Sequence, residues 1–137
     1  MSLVSDALLS DHLVSITKKL LDAIGDGKWE EYKRLVDTNI SSFEPEAGPA
    51  LVEGTSFHKY FFDNVFSRDS KPSLTTMVAP RVKLLGQNRD VAVVTYVRLV
   101  QRLDANQQPV IHKSVETRVW SKSADGWKLA HFHRSMI

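Results

Sequence analysis

The chain has 137 residues, of which 42% are hydrophobic and 25% charged, and it contains no cysteine. These values are typical of one soluble globular domain, and the lack of cysteine excludes disulfides, thiol catalysis and cysteine metal sites. A net charge of +2, from 18 basic and 16 acidic residues, is too small for a nucleic-acid-binding surface. Without a membrane-length apolar run or a signal-peptide core, the expected location is cytoplasmic.

The first half of the chain is predicted to be mainly helical. Residues 1–10 are interpreted as a linker or frayed N-terminus, and residues 11–137 as the domain. A long helix is indicated by apolar residues at helical spacing, and it ends at Gly25. This apolar stripe consists of Leu9, Leu13, Ile16, Leu20 and Ile24. A second, short helix carries Tyr32 on its apolar side, and a buried tyrosine hydroxyl more often meets a backbone group than a ligand.

Residues 42–62 are predicted to contain a loop that follows a short strand, and then the start of a third helix, which Thr55 or Ser56 caps. Glu44 and Glu46 flank a proline and are expected to face solvent or a partner chain, because a catalytic carboxylate pair must be held rigidly. The third helix carries too much aromatic surface for one helical stripe. Its apolar residues are Phe57, Tyr60, Phe61, Phe62, Val65 and Phe66. Either the chain's own core or another subunit is expected to cover the remaining aromatic surface.

The second half of the chain is predicted to form strands. They cover residues 74–85, 91–103, 110–122 and 127–135. Short loops between consecutive strands indicate antiparallel pairing, and the strand 91–103, apolar on both faces up to Arg98, is predicted to be central. The fold class is therefore α+β, with the long N-terminal helix packed on one face of a strongly curved antiparallel sheet.

The pairing of the last two strands decides which charges share a face. A three-residue loop over residues 124–126 is predicted, and it sets the register. The resulting pairs are Ser123 with Trp127, Trp120 with Ala130, Arg118 with Phe132, and Glu116 with Arg134. One face then holds Glu116, Arg118, Trp120, Ala130, Phe132 and Arg134, and the other holds Thr117, Val119, Leu129, His131 and His133. A two-residue loop would shift the pairing by one and separate Arg118 from Arg134.

Three arginines interrupt otherwise apolar strand faces: Arg98, Arg118 and Arg134. If they converge, they form a concave anion site suited to carboxylates, with Glu116 neutralising part of the charge. The alternative is a structural ion network, or arginines that reach solvent past the edge of the sheet.

Two histidines, His131 and His133, have a spacing that some metal sites use. Zinc needs three or four ligands, and no third ligand is evident. Neither a metal nor another cofactor is therefore predicted.

Six groups of motifs follow one another along the chain. They are FEPEA at 43–47, LVEG and FHKYFF within 51–62, SKP and TT within 70–76, YVRL at 96–99, ETRVW at 116–120 and HFHRS at 131–135. Together they resemble the association, or hub, domain of calcium/calmodulin-dependent protein kinase II. The resemblance covers nearly the whole chain and implies a cone-shaped domain of the nuclear transport factor 2-like superfamily.

The resemblance also implies a function. The family assembles into two stacked rings, commonly dodecamers or tetradecamers, which gather kinase domains so that these phosphorylate one another; the hub itself is not an enzyme. By position, Arg98, Arg118, Arg134 and Tyr32 match the residues of a pocket that takes small carboxylates or a linker peptide of the kinase. A departure is Leu74, where the family usually has histidine, and this leaves the ligand preference open.

The predicted function is self-association, either as a hub excised from a kinase or as a freestanding hub-like protein. The expected partner is a copy of the chain itself, with a kinase domain, a linker peptide or a small carboxylate as further partners, and neither nucleic acid nor membrane. Two alternatives are an isomerase- or cyclase-type enzyme and a small-acid receptor of the same superfamily. An enzyme of that type needs a base of matched pKa, which arginines and a paired Glu116 do not supply.

Overall fold

Helices come first in the fold and long strands last. The structure, a computed structural model, describes residues 3–66 and 73–137. The helices are α1 (Leu3–Gly25), α2 (Trp29–Leu35) and α3 (Ser56–Phe61), and a π-helical turn over Phe62–Phe66 continues α3. The strands are β1 (Val36–Phe43), β2 (Val52–Glu53), β3 (Leu74–Leu85), β4 (Val91–Leu103), β5 (Pro109–Ser123) and β6 (Gly126–Met136), with a 3-10 turn at Pro45–Ala47. This is the predicted α+β order, and β3 and β4 have the predicted ends.

The long helix α1 follows from its apolar stripe, in which Leu13 and Leu20 are fully buried. It begins at Leu3, so the expectation of a frayed start is wrong for residues 3–10, whose backbone is helical. This stretch contains no glycine or proline that would break a helix. The domain boundary at residue 11 stays a prediction. No helix in the described part of the chain is long and apolar enough to cross a membrane.

All six strands form one sheet in the order β2-β1-β6-β5-β4-β3. The neighbours pair antiparallel, except that β1 runs parallel to β6. β4 lies between β5 and β3, so it is an interior strand, as the apolar pattern predicts, but it lies next to the edge strand β3 rather than in the middle of the sheet. A bulge interrupts the β3–β4 pairing between Val78 and Arg81, where Ala79 has a φ of +51°. Such a bulge bends a strand and contributes to the curvature of the sheet.

The β5–β6 hairpin corrects one part of the predicted register and keeps another. Ser123 pairs with Gly126, so the loop has two residues rather than three, and Gly126 takes a φ of +105° that suits glycine. Trp120 consequently pairs with Leu129 rather than Ala130. Ala130 is the extra residue of a β-bulge, and this bulge absorbs the one-residue shift. Beyond it the predicted pairs, Arg118 with Phe132 and Glu116 with Arg134, are formed.

The two faces of the sheet differ in burial. The inner face packs on α1, and Trp120 at its centre donates a hydrogen bond from Nε1 to Oγ1 of Thr17 (3.0 Å). Leu129 is buried on this face, so its predicted place on the other side is wrong. We call the opposite side the outer face, defined by Phe43, Val78, Val93, Thr95, Val97, Leu99, Val115, Thr117, Val119, His131 and His133. Every side chain in this set is partly or fully exposed in the single chain.

Candidate functional site: a cavity lined by arginines

A cavity of about 670 Å³ opens between the inner face of the sheet, the end of α1 and the α3 segment. The α3 segment is α3 together with its π-helical continuation, residues 56–66. Its sheet side carries Arg98 from β4, Arg118 from β5 and Arg134 from β6. Its helical side is largely apolar and consists of Ile24, Phe61, Phe62 and Val65, with Tyr32 and His58 deeper. The structure thus brings the three predicted arginines and Tyr32 to the wall of one cavity, because alternate residues of adjacent strands share a face.

Glu116 lies behind the arginines and is only 2% exposed. Its carboxylate accepts hydrogen bonds from Arg118 Nη2 (3.0 Å), the Tyr96 hydroxyl (2.7 Å) and the Ser114 hydroxyl (2.8 Å). Arg98 Nη1 lies 3.5 Å from the other side of the same carboxylate. Burial acts to raise the pKa of Glu116, but the two guanidinium groups and these hydrogen bonds outweigh it, and the pKa falls to about 2. Glu116 is therefore an ionised counter-charge to both arginines.

Arg118 is only 1% exposed, and neighbouring side chains hold its guanidinium in place. Its Nε donates to the Tyr96 hydroxyl (2.8 Å), and its guanidinium lies 4.4 Å from the centre of the Phe132 ring. Burial raises the pKa of Tyr96 to about 12, so its hydroxyl stays protonated and donates to Glu116. Nη1 of Arg118 and Nε of Arg98 are buried without a hydrogen-bond partner among the described residues. Arg98 and Arg118 line the cavity, but these two nitrogens lie beneath its surface.

Arg134 has a different partner from the one that its register suggests. It lies directly opposite Glu116 on the adjacent strand, yet its Nη2 forms an ion pair with Glu46. Glu46 belongs to the 3-10 turn after β1 and is exposed at the mouth of the cavity. The Arg134–Glu46 pair therefore closes part of the cavity's rim.

Glu44 is buried, and the expectation that it faces solvent or a partner chain is wrong. The residue is 7% exposed, and its carboxylate accepts hydrogen bonds from the Ser42 hydroxyl (2.5 Å) and from His58 Nε2 (2.8 Å). Burial acts to raise the pKa of Glu44, whereas the hydrogen bonds from His58 and Ser42 lower it, and the result lies below the ordinary range. The backbone at Glu44 is still extended, so the alternation that turns Ser42 inward and Phe43 outward turns Glu44 inward as well.

The side chain that contacts the Tyr32 hydroxyl is His58, whose Nδ1 lies 3.4 Å away. The expected backbone partner is therefore not observed. The sequence interpretation did not single out His58. The available signal was its position four residues before Phe62, which places both on one face of α3 and its continuation. Both residues are buried against Tyr32.

His58 and His112 both line the cavity, whereas Leu74, the departure from the family pattern, is exposed at the start of β3. His131 and His133 lie on the outer face, away from the cavity. Nδ1 of His131 is 2.7 Å from the Ser41 hydroxyl. Within residues 3–66 and 73–137, no three histidine, aspartate or glutamate side chains cluster in a way that could hold a metal ion.

Comparisons with known proteins agree on one family. The family model of the calcium/calmodulin-dependent protein kinase II association domain matches residues 10–137. Over 123 residues the chain is 42% identical to the calcium/calmodulin-dependent protein kinase type II alpha chain of Drosophila melanogaster and 40% identical to the delta subunit of Oryctolagus cuniculus. These alignments cover 90% of this chain but 23% of each relative. The chain therefore spans about a quarter of the length of the curated relatives it matches.

Solved structures give the same result. The association domain of C. elegans CaMKII superposes with a TM-score of 0.88 at 42% identity, covering 96% of this chain and 98% of that one. The S. rosetta CaMKII hub superposes with a TM-score of 0.79 at 41% identity, covering 91% and 94%. A nuclear transport factor 2-like protein of Salmonella enterica has a TM-score of 0.78 at 18% identity, covering 96% and 92%, and shares the fold.

Proposed function

Because the chain belongs to the calcium/calmodulin-dependent protein kinase II association-domain family, we propose that it binds copies of itself. The assembly is a closed homo-oligomer of two stacked rings, in the dodecamer or tetradecamer class. The single observation that carries this proposal in the structure is the outer face, which presents a row of valines that one chain leaves uncovered. Contiguous exposed apolar surface of this kind marks an interface.

The valine row spans three adjacent strands of the sheet. Val78, Val97 and Val115 are direct cross-strand neighbours on β3, β4 and β5. Val115 is 44% exposed, and Phe43 on β1 is also exposed. Burying such a row against a second copy would stabilise the pair by about 25 cal/mol for each Å² of apolar surface removed from water.

A second uncovered apolar surface lies on the α3 segment. Tyr60 is 61% exposed, in agreement with the excess of aromatic surface in the sequence, whereas the exposed Val65 lines the cavity. One self-complementary surface closes a dimer, whereas a ring of more subunits needs a second surface that joins neighbours head to tail. The outer face and the α3 segment are separate surfaces, and they support the two kinds of contact that a stacked double ring requires.

The test is the mass of the purified chain in dilute solution. We expect light scattering or native mass spectrometry at micromolar concentration to give a single large oligomer whose mass is an even multiple of the chain mass. An even number follows from two stacked rings of equal size. A monomer at this concentration would contradict the proposal.

The consequence for a longer protein is also a proposal, since the chain spans about a quarter of its curated relatives. Those relatives are calcium/calmodulin-dependent protein kinases by name. Joined to such a kinase domain, this chain gathers several kinase domains on one assembly and raises their concentration relative to one another. On its own it is a freestanding hub-like protein.

The arginine-lined cavity is proposed to bind a small carboxylate or a peptide carboxylate. Two observations support this: the convergence of Arg98, Arg118 and Arg134, and the apolar wall opposite them. A planar guanidinium fork matches the geometry of a carboxylate, and a water-poor cavity strengthens the contact.

A small dicarboxylate such as succinate is expected to raise the melting temperature of the chain. Binding to the folded state alone adds about 2.7 kcal/mol of stability at a concentration 100 times the dissociation constant. Arg134→Gln is expected to lose most of this shift, because Arg134 is the most accessible of the three converging arginines. Differential scanning fluorimetry measures the effect, and Arg34→Gln, a loss of the same charge at the end of α2, is the control. An equal shift in wild type and Arg134→Gln would contradict the proposed site.

The Glu44–His58 pair is the one observation that favours the enzyme alternative, because a histidine oriented by a carboxylate is a common general base. Here both nitrogens of the imidazole already have partners: Nε2 faces Glu44 and Nδ1 faces Tyr32. The pair therefore supports a rigid binding wall better than proton abstraction. Glu116 is likewise paired and hydrogen-bonded, which does not favour the enzyme alternative.

A further inference from the structure

We propose that the outer face pairs with the outer face of a second copy, and that His131 and His133 make this pairing sensitive to acid. The inference rests on the proposed self-association and adds to it the location of one interface and a way of regulating it. The occupant of the outer face is therefore another copy of this chain.

Two cross-strand rows on the outer face define its charge pattern. One row runs through Glu53, Ser41, His131, Val119, Val93 and Lys83, and the next through Phe43, His133, Thr117, Thr95 and Arg81. The acidic group of these rows lies at the β2 edge of the sheet, whereas both basic groups lie at the β3 edge. Neutral side chains and the two histidines occupy the middle.

This pattern is self-complementary. A two-fold axis parallel to the strands turns one sheet over onto its copy and places the β2 edge of each copy on the β3 edge of the other. Glu53 of one copy then faces the basic edge of its partner, and the middle of each row meets neutral side chains. Complementary charge at the rim around an apolar centre is typical of a specific interface. This complementarity favours a second copy of the chain over a different partner on the outer face.

The histidines lie at the centre of such a pair. β6 is one of the two middle strands of the six, so both imidazoles would be covered by the partner's sheet. The Phe43 ring already lies 6.1 Å from the His131 ring and 5.7 Å from the His133 ring, centre to centre. Closing this surface removes water from both imidazoles, and water loss disfavours the charged form.

The groups around the histidines do not offset this cost. From β1 they meet Ser41 and Phe43, and from β5 they meet Thr117 and Val119, none of which is charged. On the outer face of β6 the two histidines are neighbours, and Arg134, which follows His133 along the strand, lines the cavity on the inner face. Glu53 lies beyond Ser41 on β2, and Lys113 lies further along β5. In the single chain, partial burial and the neighbouring His133 already lower the pKa of His131.

The sign of the effect follows from these surroundings. Because pairing removes water from both imidazoles, protons bind preferentially to the separated copies, and acid weakens the pairing. A pair contains four of these imidazoles. We therefore expect the pairing to weaken by about 10²-fold or more between pH 7.5 and pH 5.5.

The experiment is sedimentation velocity of the full chain at low micromolar concentration, at pH 7.5 and pH 5.5, with far-ultraviolet circular dichroism of the same samples. Wild type is expected to be assembled at pH 7.5 and to lose its face-to-face contacts at pH 5.5 while it stays folded. The double variant His131→Gln/His133→Gln is expected to stay assembled at both values. His12→Gln, which removes an exposed histidine on α1, is the matched control and should behave as wild type.

Each remaining outcome overturns a defined claim. A wild-type assembly unchanged at pH 5.5, a double variant that dissociates like wild type, or loss of secondary structure at pH 5.5 overturns the inference and leaves self-association standing. A monomer at pH 7.5 overturns the proposed function and the inference together. If the double variant does not assemble at pH 7.5, the single variant His133→Gln replaces it. His133 is exposed, so its loss should weaken the pH dependence, and an unchanged dependence overturns the inference.

Discussion

Replacing Glu116 with alanine is expected to lower the free energy of unfolding by about 3–5 kcal/mol, because it leaves two guanidinium groups without their counter-charge. Arg118 is almost completely buried, and its ion pair with Glu116 measures 3.0 Å. Arg98 loses its 3.5 Å contact with the same carboxylate. The Tyr96 and Ser114 hydroxyls would also lose their acceptor. A loss of this size is a large part of the stability of an ordinary domain.

Urea denaturation measures this loss, and the chain offers a matched control. Glu46→Ala removes the carboxylate partner of Arg134 at the exposed rim of the cavity, where an ion pair contributes at most about 1 kcal/mol. Equal losses for the two variants would contradict the view that burial of Arg118 makes Glu116 indispensable. The comparison is best made at a pH at which wild type and both variants are in the same assembly state, because dissociation itself changes stability.

The same carboxylate links stability to pH. Since the folded pKa of Glu116, about 2, is below its ordinary value of 4.5, the contribution of Glu116 is fully present above about pH 4.5. It is lost as the pH falls from there towards 2, where protonation removes the negative charge between the arginines. Acid unfolding of the wild-type chain should therefore steepen in this window, well below pH 5.5.

Replacing Val115 with aspartate is expected to weaken the face-to-face pairing by at least about 10³-fold. In the single chain Val115 is 44% exposed, so the new carboxylate stays in water and the fold is little affected. In the pair it would lie in the valine row between Val97 and Ser135, without a cationic neighbour on the adjacent strands. Burying an unpaired charge costs several kcal/mol, and two-fold symmetry applies this cost twice.

Size-exclusion chromatography with light scattering distinguishes the species. Val115→Asp should elute as a smaller, folded species at concentrations at which wild type is fully assembled. Val115→Thr is the matched control: it has nearly the same shape and no charge, and it should assemble as wild type. An aspartate variant with wild-type mass would show that the outer face is not an interface between copies.

Local patterns in the sequence determined which residues form the elements and which way they face. Turn residues bound the strands 74–85 and 91–103, and the latter is apolar on both faces up to Arg98, so their ends and the interior place of the latter in the sheet were predicted correctly. Because successive side chains of a strand point to opposite faces, Arg98 and Arg118 were recognised as inward-facing charges. The motif resemblance indicated the family and the fold, and the family model and solved relatives show both.

The tertiary structure alone decided how distant residues pair. The bulge at Ala130 has no local sequence signal, and it is the reason that a two-residue turn still brings Arg118 and Arg134 to one face. The partner of Arg134 is Glu46, 88 positions away, and the partner of Glu44 is His58 on a separate helix. Periodicity fixes the direction of a side chain within its own element. Which side chains meet depends on the turns, bulges and packing of the whole chain, and only the folded structure contains that information.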